Sequence, residues 1–153
     1  MYHAIYQPTR TTLVIITGGE VSDKEWQNLY DDLIRATNDC VRLGTELIIL
    51  AISQKDTKRP NANWRRKFAE LRPKQKDVKH VIVALVVQSL FMKGIMTAIN
   101  WVIPAQSKEK INSFDTPTEA IAWLELQVGR PSPYLQEMHL QLLQELKTTG
   151  KAV

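Results

Sequence analysis

Residues 80–104 read HVIVALVVQSLFMKGIMTAINWVIP, and the reading of this stretch decides the fold. Its length suits a membrane span, since about 20 apolar residues cross a bilayer. Gln88, Ser89, Lys93 and Asn100 interrupt it, however, and a central lysine costs roughly 2.5–3.5 kcal/mol on insertion. The composition also changes partway. Val81 to Val87 is continuous and β-branched, the pattern of a strand buried on both faces. Ser89 is placed to cap a helix. Leu90, Phe91, Ile95, Ala98, Ile99 and Val102 follow at helical spacing, and Pro104 ends the run. The stretch predicts a buried strand feeding a buried helix, with no membrane span.

Upstream, Glu46–Ser53 (ELIILAIS) is a second near-continuous apolar strand. Between it and the N-terminus, Tyr2–Tyr6 and Thr11–Thr17 read as two strands. The turn Gln7-Pro8-Thr9-Arg10 joins them, short enough for an antiparallel hairpin. Gly18-Gly19 breaks the second strand; without the rest of a phosphate-binding motif, the pair reads as a turn. Ser22-Asp23-Lys24-Glu25 is a capping box. Trp26, Leu29, Tyr30, Leu33, Thr37, Cys40 and Val41 then mark one helical face that stops at Gly44. Asn61 or Asn63 can cap a further helix with Trp64, Phe68 and Leu71 turned inward, Arg65, Arg66 and Lys67 toward water, and Pro73 closing it.

Downstream, Lys110–Phe114 is a short strand. Thr116-Pro117-Thr118-Glu119 opens a helix that Gly129 stops. Ser132-Pro133 opens a last amphipathic helix with the stripe Tyr134, Leu135, Met138, Leu142, Leu143 and Leu146. His139 beside it reads as an ordinary packed or surface residue. Strands alternating with helices predict an α/β layer with right-handed crossovers. The fold class is α/β: a mixed, mostly parallel sheet of four to five strands with helices packed on it, plus an extra C-terminal helix. Residues 1–129 form the domain. Residues 130–153 carry the amphipathic helix, which packs on that domain or on a partner subunit; a homodimer through it is an open alternative.

The chain has 153 residues and a net charge of +4. Lys55–Lys79 holds ten basic residues against Asp56, Glu70 and Asp77, a local charge of +7 that leaves −3 elsewhere. Such a patch attracts phosphate, nucleic acid or an acidic partner, or is simply a solvated face. The aromatic interleaving used by single-strand binders is nearly absent from it. A single cysteine excludes an internal disulfide framework and, with an N-terminus lacking a signal pattern, fits a cytoplasmic protein. Cys40 has no local partner to lower its pKa and reads as structural. His3, His80 and His139 are dispersed, without metal-ligand spacing. No nucleophile elbow or P-loop occurs. Neither a catalytic residue, a metal nor a cofactor is assigned, and a non-enzymatic protein is expected.

The order of elements resembles the STAS group, in particular its SpoIIAA-like branch. The likeness is carried by VIVALVV (81–87), LFMKGIMTAINWV (90–102) and FDTPTEAIAWLE (114–125). In the last, Phe114, Glu119, Ala120, Trp123 and Leu124 match a closing phrase F-x-x-x-x-E-A-x-x-W-L. It covers Tyr2 to Val128 and leaves Pro131 onward outside. The resemblance implies an interaction module; the best-known members antagonise anti-sigma factors through a phosphorylatable serine in an Asp-Ser-Ser-Gly-like turn after the third strand. Here that turn is replaced by QKDTKRPNANWRR, which leaves Ser53 and Thr57 as phosphorylation candidates beside Lys55, Lys58 and Arg59.

Loops at the carboxyl ends of parallel strands are where α/β sheets bind ligands. The expected surface is therefore Ser53, Lys55, Thr57, Lys58 and Arg59, the next helix start with Asn61, Trp64 and Arg65, and the end of the central strand at Gln88 and Ser89. Ser89 and its neighbours would offer helix N-terminal amides to an anion. The expected occupant is a protein partner or a small anionic ligand. Nucleic acid on the 55–79 segment is the alternative. A third reading, lipid or another apolar ligand, needs a cavity lined by Phe91, Met92, Ile95 and Met96.

Overall fold

The computed structural model describes residues 1–88, 108–129 and 132–150. Five strands form one sheet in the order β1-β2-β3-β4-β5: β1 (Tyr2–Gln7), β2 (Thr12–Thr17), β3 (Leu47–Ser53), β4 (Val81–Val87) and β5 (Glu109–Phe114). β1 runs antiparallel to β2, and every other pair is parallel. β4 thus lies inside the sheet, with Leu50 level with Ala84 on one side and Val83 level with Ile111 on the other. Its unbroken apolar sequence follows from that place, because an interior parallel strand has no solvent face. The helix expected at 90–104 lies outside the described residues.

Strand alternation divides the core in two. Val14, Ile16, Ile48, Leu50, Ile82, Ala84 and Val86 point to one face, where α4 (Pro117–Val128) and α5 (Pro133–Thr148) cover them. Leu13, Ile15, Leu47, Ile49 and Val81 point to the other, under α1 (Asp23–Leu43) and α2 (Ala62–Ala69). Leu135, Leu142 and Leu146 of α5 are fully buried in the first cluster, so this helix lies across the sheet.

The helix starts follow their local chemistry. Ser22 accepts from the Glu25 amide at 3.3 Å, and Glu25 Oε2 accepts from the Ser22 amide at 2.9 Å, closing the capping box. Thr116 Oγ1 accepts from the Glu119 amide at 3.3 Å, with Pro117 in the first turn of α4. Gly44 and Gly129 end α1 and α4 at positive φ.

Three expectations are corrected. Pro73 does not close α2: the break falls at Glu70, and Pro73 sits in a four-residue helix, α3 (Leu71–Lys74). A proline in a first turn lacks only an N–H that would have had no helical partner. Val41 is 44% exposed and Ala36 takes the inward place, because the stripe of α1 drifts around the helix over its length. Lys67 does not face water. Its ammonium lies 4.5 Å from the Tyr30 ring centroid and 4.7 Å from that of Trp64, held by cation–π attraction.

Candidate functional site

The carboxyl ends of β2, β3 and β4 lie at one edge, and the loop Gln54–Pro60 runs along it. Backbone bonds strap this loop to the end of β2. The Gln54 amide donates to Thr17 O at 2.9 Å and the Lys58 amide to Gly19 O at 2.9 Å. The Thr57 hydroxyl donates to Thr17 O at 3.0 Å, while its amide closes a turn onto Gln54 O. The Gln54 carboxamide lies against Gly18. A Cβ built there would lie 2.1 Å from Gln54 Oε1, so a side chain would displace the Gln54 carboxamide.

Under the loop, on the α1 face, is a cavity of about 370 Å³. Ile15, Ala51, Leu85 and Val87 supply its sheet wall, and Trp26 and Leu29 its helix wall. Ser53, Lys55, Thr57, Lys58 and Arg59 ring the opening, and Lys55, Lys58 and Arg59 are exposed. An apolar hollow rimmed by cations can hold an apolar group joined to an anionic one. Lys58 is shared with Glu20 at 3.7 Å, both side chains largely solvated, so that pair constrains it little.

Five expected residues therefore gather at one cavity. The others have different work. Asn61 caps α2, its Oδ1 accepting from the Trp64 amide at 3.0 Å. Arg65 turns back to donate to Pro60 O at 2.9 Å and latches the loop. Trp64 is fastened to α1, its Nε1 donating to Asp23 Oδ1 at 2.8 Å. Gln88 belongs to the opposite face of the sheet, and Ser89 lies outside the described residues, as do Phe91, Met92, Ile95 and Met96. Sequence reasoning passed over Trp26, Leu29 and Leu85, because a cavity wall and a packed core carry the same apolar signal.

Much of the basic segment is occupied inside the molecule. Arg72 forks onto Glu109 Oε2 at 3.1 and 2.7 Å, Lys74 donates to the Tyr30 hydroxyl at 3.0 Å, and Lys67 donates to Gln27 Oε1 at 2.5 Å. With Lys58 and Arg65, at least half of the ten cations between residues 55 and 79 have a partner of their own.

The groups with shifted acidity lie mostly away from this cavity. Burial, then a hydrogen bond to Asp32 at 2.5 Å, pushes the Tyr2 hydroxyl well above the usual phenol range. Burial and Asp39, at 2.6 Å, do the same to Tyr6. Burial raises the Cys40 thiol, so it stays protonated and inert at neutral pH. His139, expected to be ordinary, is buried in α5, and desolvation lowers its pKa. Among the described residues no three of His, Cys, Asp or Glu are grouped as a metal site would require, and no helix is long and apolar enough to cross a membrane.

No family model and no curated protein sequence matches the chain. Among solved structures it is similar to an uncharacterised protein of the DUF3478 family from Shewanella loihica PV-4. The TM-score is 0.59 at 16% identity, over 80% of this chain and 93% of that one. That protein is described as having a SpoIIAA-like fold, and the five-stranded mixed sheet with its flanking helices gives this chain the same fold.

Proposed function

We propose that the chain is a non-enzymatic, STAS-like regulatory module that binds a small anionic ligand, or an acidic segment of a protein partner, at the loop Gln54–Pro60. One observation carries the reading: an apolar cavity of about 370 Å³ at the carboxyl edge of the parallel strands, with Lys55, Lys58 and Arg59 at its mouth. Phosphorylation belongs to the same reading. A phosphate on Thr57 would remove its hydroxyl bond to Thr17 O, one of the contacts that hold the loop, whereas one on Ser53 would sit among the rim cations. The test is a titration of the ¹⁵N-labelled protein with a panel of small carboxylates and phosphates and with an acidic peptide. Amide shifts centred on residues 53–60, Trp26 and Leu29, abolished by Leu29→Trp, are expected. Shifts elsewhere, or binding indifferent to Leu29→Trp, would overturn it.

Nucleic-acid binding through residues 55–79 is the second reading, favoured by the local charge of +7. It requires affinity for an oligonucleotide to fall steeply with salt, with a log–log slope near −0.9 per phosphate contact. At least half of those cations already have internal partners, so we expect a shallow slope and weak binding.

A further inference from the structure

A second cavity, of about 790 Å³, opens on the other face of the sheet, between the strand ends, the loop and α5. Ile16, Ile52, Val86 and Leu143 give it apolar walls, and Lys55, Asp56 and Gln88 stand on its rim. Two polar side chains also line it, and both are incomplete. Gln54 Nε2 and His139 Nδ1 are buried nitrogens with no hydrogen-bond partner among the described residues. His139 is only 8% exposed. Leaving a buried polar group unpaired costs about 1–3 kcal/mol, and here two such groups belong to side chains that line one hollow. The carboxamide nitrogen can only donate, and the imidazole Nδ1–H donates in one neutral tautomer.

We propose that this cavity is a ligand site for a small monocarboxylic acid with an apolar body, its two oxygens accepting from Gln54 Nε2 and His139 Nδ1. A carboxylate offers one oxygen to each nitrogen, and the walls accept a branched or aromatic hydrocarbon. Lys55 on the rim attracts the anion and Asp56 opposes it, so selectivity rests on the two buried donors rather than on net charge. The site shares Ile52, Gln54 and Lys55 with the groove on the α1 face, and His139, Leu143 and Ile16 set it apart. It needs His139 and Leu143 of α5, a helix outside the stretch that resembles the SpoIIAA-like branch.

The probe is 4-phenylbutyrate, with 4-phenylbutylamine as its cationic counterpart, titrated into the full chain. The expected result is a shift of the His139 ring nitrogens and of the Ile16 and Leu143 methyls. The amine should bind at least tenfold more weakly. Gln54→Leu should weaken the acid at least tenfold, and Leu143→Trp, which fills the hollow, should abolish binding should the first variant fold poorly. Leu29→Trp, in the other cavity, should change nothing. No shift at His139 at millimolar acid would overturn the proposal. So would equal binding of acid and amine, or shifts confined to Trp26 and Leu29.

Discussion

Replacing Leu142 by alanine should lower stability far more than replacing Leu140, two residues away on the same helix. Leu142 is fully buried in the cluster that joins α5 to Val14, Leu50 and Ala84, whereas Leu140 is 54% exposed. Truncating a buried leucine costs about 2–5 kcal/mol, through lost transfer energy and the cavity left behind. A value of about 3 kcal/mol suits a site walled by sheet residues that cannot collapse inward. For a chain of this length about 1 kcal/mol moves Tm by roughly 2–4 °C, so Leu142→Ala should melt about 6–12 °C lower. Leu140→Ala should stay within about 0.5 kcal/mol of the parent. Urea denaturation at two protein concentrations a hundredfold apart reads both the cost and its origin. A loss independent of concentration places the helix on its own sheet. Equal effects of the two variants would refute the packing described here. A loss that appears only where a dimer forms would assign the apolar stripe to a second copy.

Thr11 holds a left-handed conformation, φ 45°, rare for a β-branched residue, while its hydroxyl donates to Glu46 O at 2.5 Å. Thr11→Ala should therefore cost about 1–3 kcal/mol, and Thr11→Gly about 1 kcal/mol less than that, measured by urea denaturation. Burial lowers the His139 pKa in the folded protein below its unfolded value. The unfolded chain then binds the extra proton first, so this contribution is complete above about pH 6.5, the ordinary value, and is lost as pH falls below it. His139→Phe should flatten that part of a stability–pH curve; an unchanged slope would contradict the assignment. Ser22→Ala removes one half of the capping box of α1 and should cost about 1 kcal/mol without moving ligand affinity at either cavity, as paired melting and titration would show.

What was legible in the sequence was local or periodic. β4 announced itself because an interior parallel strand must be apolar throughout, and the capping box and Thr116-Pro117 because helix ends need specific donors and acceptors. A rule of topology pointed to the loop, and Ser53, Lys55, Thr57, Lys58 and Arg59 do line one cavity, whose occupancy the proposed titration tests. What escaped depends on partners distant in sequence. Lys67 turns inward because Tyr30 and Trp64 offer their ring faces. Trp64 is a fastening because Asp23 lies within reach. The parity of β4 did hold a signal for Gln88: Val87 lines the α1-face cavity, so Val86 and Gln88 belong to the other. His139 could not be found from sequence, since only the docking of α5 shows that its Nδ1 is left without a partner.

Amide hydrogen exchange along residues 81–87 tests the central claim most directly, that this stretch is an interior strand paired on both sides. Its ladder amides should exchange only through global unfolding, as slowly as those of β3 and more slowly than those of the edge strand β1. Exchange of these amides within minutes, or protection in the three-to-four-residue rhythm of an amphipathic helix, would contradict the sheet order, and with it the placing of both cavities.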